Sequence, residues 1–205
     1  MSAVLYIHGK NGSAAESGHY QPFFPGEEVA GLDYRGSVPW EAGPEIRRAA
    51  EELRRRHDSL TLIANSIGAY FSLWAGIGHL LRRAFFISPV VDMERLIQTM
   101  MDRAGVEEEA LRERGVIPTA FGEDLSWDYL CRVRAHPVRW DVPTAILYGA
   151  RDALVSPETV SAFAERCGAT LTVMETASTG SIPGSRWTSW TAGCGTACHK
   201  SIKNT

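Results

Sequence analysis

The stretch Leu60-Thr-Leu-Ile-Ala-Asn-Ser-Ile-Gly-Ala-Tyr70 decides the reading of this chain. An apolar run long enough for a buried strand stops at Ser66, and a helix-like pattern begins immediately after it. Ala64 lies two residues before the serine and Gly68 two after. A serine held up on a tight strand-to-helix turn needs small neighbours at those positions, because the turn leaves no room for bulky side chains beside its backbone. The same stretch also fits a buried strand followed by a helix that uses Ser66 as its N-cap, a favoured cap residue.

Working outward, the chain alternates apolar strand candidates with helical segments. Val4 to Ile7 is a short apolar strand that runs into the turn His8-Gly-Lys-Asn-Gly12, and Val29 to Asp33 is a second. Glu45 to His57 carries Ile46, Ala49, Ala50 and Leu53 at helical spacing with charges between them. After the strand Leu60 to Ala64 come a helix from Ile67 to Leu81, strands at Ala84 to Ser88 and Thr144 to Tyr148, a helix from Pro157 to Cys167 and a strand at Thr170 to Met174. Strands that are continuous apolar runs, alternating with helices, predict a mostly parallel, doubly wound α/β sheet buried on both faces. One interval breaks the rhythm. From Pro89 to Trp140 only helical periodicity appears, at Asp92 to Gly105, Glu107 to Gly115 and Ser126 to Val133. An insertion there is expected to form a helical lid over the strand ends, where ligands bind in such sheets, or else an extra helical layer.

The chain has 205 residues, 44% of them hydrophobic, with 24 acidic against 21 basic side chains and no long block of one sign. That fits one globular domain and argues against nucleic acid or an anionic membrane as partner. The first residues lack the basic and apolar regions of a signal peptide, and no apolar run approaches membrane-spanning length, so a cytoplasmic protein is expected. Cys131 and Cys167 are isolated, as suits thiols in a reducing compartment.

With these stations in place, the chain resembles a small α/β-hydrolase. His8-Gly9 resembles that family's oxyanion turn, which implies that the backbone N–H of Lys10 donates to a developing oxyanion. Ser66 stands at the nucleophile station, and the N–H of Ile67 would be the second donor. Asp152, in Tyr148-Gly-Ala-Arg-Asp-Ala-Leu-Val155, resembles the acid loop, and Asp33-Tyr-Arg-Gly36 resembles a stretch common after an early strand. The physical logic agrees. A serine hydroxyl needs a base in hydrogen-bond reach, the tetrahedral intermediate needs prearranged donors, and a carboxylate orients the imidazole. The resemblance implies hydrolysis of an ester, thioester or related acyl bond of a small molecule, with no metal or organic cofactor. The alternative is a catalytically silent binding protein on the same fold.

The resemblance also implies a histidine soon after the last strand, and none follows Met174-Glu175. Residues 176–205 are instead rich in Gly, Ser and Thr and lack periodicity, the composition of loop or disorder. Lys10 is the only lysine before residue 176, yet Lys200 and Lys203 both fall in the last six residues. A one-base shift of reading frame from Thr176 can be back-translated to Gly-Glu-His-Trp-Phe-His followed by an amphipathic helix pattern, so the segment reads as a frameshifted tail. Within it, His199 is the remaining candidate for the base. Cys194, Cys198 and His199 lack a fourth ligand at standard zinc spacing, so no metal is expected.

Overall fold

The apolar runs become the strands of one parallel sheet. The structure is a computed structural model in which residues 1–175 are described; the segment read as a frameshifted tail, with Cys194, Cys198 and His199, lies outside the described residues. The strands β1 (Ser2–Ile7), β2 (Glu28–Leu32), β3 (Ser59–Asn65), β4 (Arg83–Ile87), β7 (Thr144–Gly149) and β8 (Thr170–Met174) form a sheet in the order β2-β1-β3-β4-β7-β8. Every neighbouring pair is parallel. Parallel strands need crossovers, and helices α1 (Pro39–Arg56), α2 (Ile67–Ala75) and α6 (Pro157–Cys167) supply three of them.

Alternation along the strands splits the core into two clusters. Leu5, Ile7, Leu62, Ala64 and Phe86 face one side, and the helices bury their apolar residues there, among them Ile46, Leu73 and Phe163. Val4, Tyr6, Ile63, Phe85 and Leu147 face the other, joined by Tyr20 and Phe24, which close two short 3₁₀ segments, Ala14–His19 and Gln21–Phe23.

Two helices differ in length from their periodicity. α1 begins at Pro39 rather than Glu45, because proline at the first helical position lacks only an N–H that would be unpaired there anyway. Its last turn carries Arg54, Arg55 and Arg56, where cations complement the helix dipole. α2 stops at Ala75 instead of Leu81, since Gly76 takes the left-handed conformation at φ 64° that closes the helix.

The interval after β4 holds α3 (Met93–Ala104), α4 (Glu108–Arg114) and α5 (Trp127–Ala135), with Asp92 and Ser126 capping α3 and α5 through their side chains. It also holds a two-residue pair, β5 (Val116–Ile117) with β6 (Leu125–Ser126), antiparallel and too short to leave a period-two signal. Met93, Ile97, Met101, Leu111 and Leu130 are buried in the main core, so much of the apolar content here packs the helices onto the body. Arg134 of α5 pairs with Glu94 of α3 and Glu108 of α4, each at 2.7 Å, which ties the three helices together. Among the described residues no helix is long and apolar enough to cross a membrane.

One backbone approach anchors the loop after β1. A methyl group at Gly31 of β2 would stand 2.1 Å from the carbonyl oxygen of Ala14, a backbone atom that cannot swing aside. Asp33 reinforces the contact by accepting from the Ala14 N–H at 2.6 Å. Gly31→Ala is expected to destabilise the fold by about 1–3 kcal/mol, the usual cost of overpacking. A urea titration reads this as a lowered midpoint at unchanged slope, and an unaltered midpoint would mean that the two segments separate freely.

Candidate active site

Ser66 joins β3 to α2 with φ 52° and ψ −122°, a backbone region that side-chain-bearing residues rarely enter. Its surroundings hold it there. The Ser66 N–H donates to the Ile87 carbonyl at 2.9 Å, while its own carbonyl accepts from Val90 N–H at 3.0 Å and Ala69 N–H at 3.2 Å. The turn is therefore clamped between the end of β4, the segment after it and the first turn of α2. Ser66 does not act as a side-chain cap of α2, which separates the two sequence readings of this residue.

The small neighbours have physical reasons. A methyl group at Gly68 would stand 2.4 Å from the carbonyl oxygen of His8 and 2.8 Å from that of Ile7, so α2 lies directly against the end of β1. Ala64 pairs with Ile7 across β3 and β1 and is fully buried. A methyl group at Gly9 would stand 3.1 Å from Ser66 Cβ. The structure thus brings the His8-Gly9 turn and Ser66 together, as the sequence anticipates. Lys10 continues that turn, and its ammonium pairs with Glu123 in the segment between β5 and β6. Ile67 is the first residue of α2, where N–H groups have no partner inside the helix and the dipole favours negative charge.

His8 is buried and committed to shaping the turn. Its ring stacks on Tyr34, with centroids 4.3 Å apart and planes 9° from parallel, and its Nδ1 lies 2.7 Å from its neighbour's carbonyl, Gly9 O. The Tyr34 hydroxyl donates to the His8 carbonyl at 3.0 Å.

Asp152 follows β7. Its Oδ1 accepts from the N–H groups of Leu154 at 2.8 Å and Val155 at 3.1 Å, which fixes the loop. Its Oδ2 is buried and has no partner among the described residues. Ser66 and Asp152 stand at the same end of the sheet, at the ends of β3 and β7 with β4 between them. At about 4.8 Å per strand spacing, the two strand ends lie roughly 10 Å apart. Among the described residues no hydrogen bond joins the two.

The other four described histidines are placed elsewhere in the fold. His57 binds Glu28 at 2.6 Å, His136 stacks on Trp74 at 3.9 Å, His19 meets the edge of Tyr20, and His79 sits in the 3₁₀ turn Gly78–Leu80. His199 lies outside the described residues.

Sequence reasoning missed a polar cluster under the His8-Gly9 turn. The Tyr6 hydroxyl donates to Glu16, whose other oxygen accepts from the Ser13 N–H at 3.2 Å. Nearby, Asn65 Oδ1 is buried without a partner among the described residues. Ser13-x-x-Glu16 matches a capping-box spacing, a signal available in the sequence. Burial first, and then the nearby Glu16 carboxylate, pushes the Tyr20 and Tyr34 hydroxyls up to about 12. Raised values in the folded state favour the neutral phenol, so this contribution to stability is complete below the ordinary value near 10 and is lost as pH rises from 10 towards 12. The melting temperature is expected to hold up to about pH 10 and fall beyond it, with Tyr34→Phe flattening part of the fall. A melting curve that ignores this window in both proteins would contradict the buried placement of these phenols.

The parallel sheet in the order β2-β1-β3-β4-β7-β8, with helices packed against it and the strand-to-helix turn at Ser66, defines a class: this chain has the α/β-hydrolase fold. Similar solved structures bear this out. Est1E from Butyrivibrio proteoclasticus aligns with a TM-score of 0.72 at 15% identity, over 95% of this chain and 88% of that one. A putative hydrolase from Agrobacterium vitis S4 aligns with a TM-score of 0.69 at 14% identity, over 94% and 87%. The propionate-bound esterase Est2 from Thermogutta terrifontis aligns with a TM-score of 0.61 at 17% identity, over 98% and 83%. No family model matches the sequence, and no curated protein matches it.

Proposed function

We propose that the chain is a serine hydrolase that cleaves an ester, thioester or related acyl bond of a small molecule through an acyl-Ser66 intermediate. The observation that carries this reading is the conformation of Ser66, φ 52° and ψ −122°, maintained by three backbone hydrogen bonds. Strain of this kind persists only where the surroundings over-determine it, and it is concentrated at functional sites. In the proposed roles, Ser66 Oγ attacks the acyl carbon, the N–H groups of Lys10 and Ile67 receive the oxyanion, the His8-Gly9 turn positions the Lys10 donor, and Asp152 orients the base. Residues 89–140 act as a lid, with Leu96, Met100, Trp127 and Tyr129 only partly buried and available to an apolar acyl group. Est1E bound to ferulic acid and Est2 bound to propionate are among the similar structures, which supports a small acyl substrate here. We place the protein in the cytoplasm, where Cys131 and Cys167 stay as thiols.

The second reading, a catalytically silent binding protein, draws on the unpartnered Oδ2 of Asp152 and the commitments of the described histidines. A fluorophosphonate probe separates the two. Covalent labelling that depends on Ser66 supports the enzyme; intact protein mass unchanged after prolonged exposure supports the silent fold. A p-nitrophenyl ester series of increasing acyl length then defines the substrate class.

A further inference from the structure

The ion pair of Lys10 Nζ with Glu123 joins the turn after β1 to the helical insertion, across 113 residues of chain. Each partner sits on a turn closed by its own hydrogen bonds. The Gly12 N–H donates to the Gly9 carbonyl at 3.1 Å, which leaves Lys10 and Asn11 at the tip, with Asn11 in the left-handed region at φ 61°. Opposite, the Gly122 N–H donates to the Thr119 carbonyl at 3.3 Å, the Thr119 hydroxyl donates to the Glu123 carbonyl at 2.5 Å, and Gly122 takes φ 82°. The Arg103 guanidinium lies 5.7 Å from the centre of the Phe121 ring, which fastens this second turn to α3. The paired side chains are 57% and 47% exposed, so the pair adds little to global stability and acts locally.

We propose that Glu123 is a positioning residue for the Ser66 site: by holding the Lys10 ammonium, it docks residues 118–124 on the oxyanion turn and restrains the backbone that carries the Lys10 N–H. The proposal rests on the reading of Ser66 as nucleophile and of the Lys10 N–H as donor. Such a donor lowers the barrier only if it is fixed before charge develops, since otherwise the turn must reorganise during the reaction. Glycines at 9 and 12 bracket Lys10 and give the turn little stiffness of its own. The Glu123 carboxylate supplies a restraint from outside. Because residues 118–124 belong to the insertion, the position of the insertion is passed directly to the donor beside Ser66.

The test uses the full chain, Glu123→Gln, Lys10→Met and the double variant, and reads amide hydrogen exchange together with fluorophosphonate labelling of Ser66. At low salt Glu123→Gln is expected to speed exchange at the Gly12 and Gly122 amides by about two- to fivefold, the factor that an exposed ion pair supplies, with the amides of β3 unchanged. The double variant is expected to exchange no faster than either single one, because both remove the same interaction. In about 1 M sodium chloride, where charges are screened within about 3 Å, the unaltered chain is expected to reach that faster rate. The limiting labelling rate of Glu123→Gln is expected to fall by a similar factor at an unchanged half-saturating probe concentration, as the loss of a transition-state contact requires. Exchange at Gly12 that ignores the substitution at low salt would overturn the proposal whatever the labelling does. Faster exchange with a full limiting rate would also overturn it, because the turn would then loosen without consequence for the chemistry, and the nucleophile reading would stand. No labelling of Ser66 in the unaltered chain would overturn that reading and the positioning role with it.

Discussion

Ser66→Ala is expected to abolish fluorophosphonate labelling altogether and to bring ester hydrolysis down to the rate of the buffer. Alanine removes the atom proposed to form the covalent bond and leaves the proposed oxyanion donors in place. Its effect on stability is expected to be slight, because alanine at φ 52° bears the same strain as serine. Ser66→Gly makes the complementary prediction. Glycine enters this backbone region freely, which relieves about 1–3 kcal/mol of strain against an entropy cost of about 0.5–1 kcal/mol. Glycine is therefore expected to raise the melting temperature by about 2–5 °C while eliminating labelling. Inactive but stabilised protein is the signature of strain kept for function. Retained labelling in either variant would remove Ser66 from the mechanism, and a lower melting temperature in the glycine variant would remove the strain argument.

The second large effect concerns Gly68, whose added methyl would lie 2.4 Å from the His8 carbonyl oxygen. Neither α2 nor the end of β1 can yield alone. β1 is hydrogen-bonded on both sides, to β2 and β3, and α2 is packed into the core through its own Tyr70, Phe71 and Leu73, all nearly fully buried. Gly68→Ala must push the His8-Gly9 turn and the Ser66 turn apart by several tenths of an ångström or more. The expected cost is about 1–3 kcal/mol, or a melting temperature lower by about 3–10 °C. Because the same shift separates Ser66 from the proposed Lys10 donor, the labelling rate is expected to fall by about 10²-fold at a temperature where the variant is still folded. Calorimetry and the labelling rate check the two halves separately. A full labelling rate in a destabilised variant would detach this contact from the chemistry, and an unchanged melting temperature would deny the contact itself.

How much of this could be read from the sequence differs by element. Each strand of the sheet was legible because a parallel strand buried on both faces must be a continuous apolar run, and Val4 to Ile7 and Leu60 to Ala64 are such runs. The helices after β4 were legible from their period and from the caps Asp92 and Ser126. The start of α1 was not, since Pro39 and Pro44 look like breakers until the first proline is seen to occupy the helix terminus. The β5–β6 pair was hidden by its brevity. At the candidate site, His8, Gly9, Ser66 and Asp152 were legible from their order along the chain. The cluster of Tyr6, Glu16 and Ser13 was not, because the strand and the loop after it meet only in the folded chain.

The sequence by itself determined the parallel α/β architecture, the placement of a serine on a strand-to-helix turn and the absence of a histidine directly after Met174-Glu175. Those are properties of local pattern, set by periodicity and by residue size. Only the tertiary structure decided that Gly68 and Gly9 are small because β1 and Ser66 press against them, that His8 is locked on Tyr34, and that one buried Asp152 oxygen has no partner among the described residues. These are consequences of distance between segments remote in the chain, which no local pattern encodes.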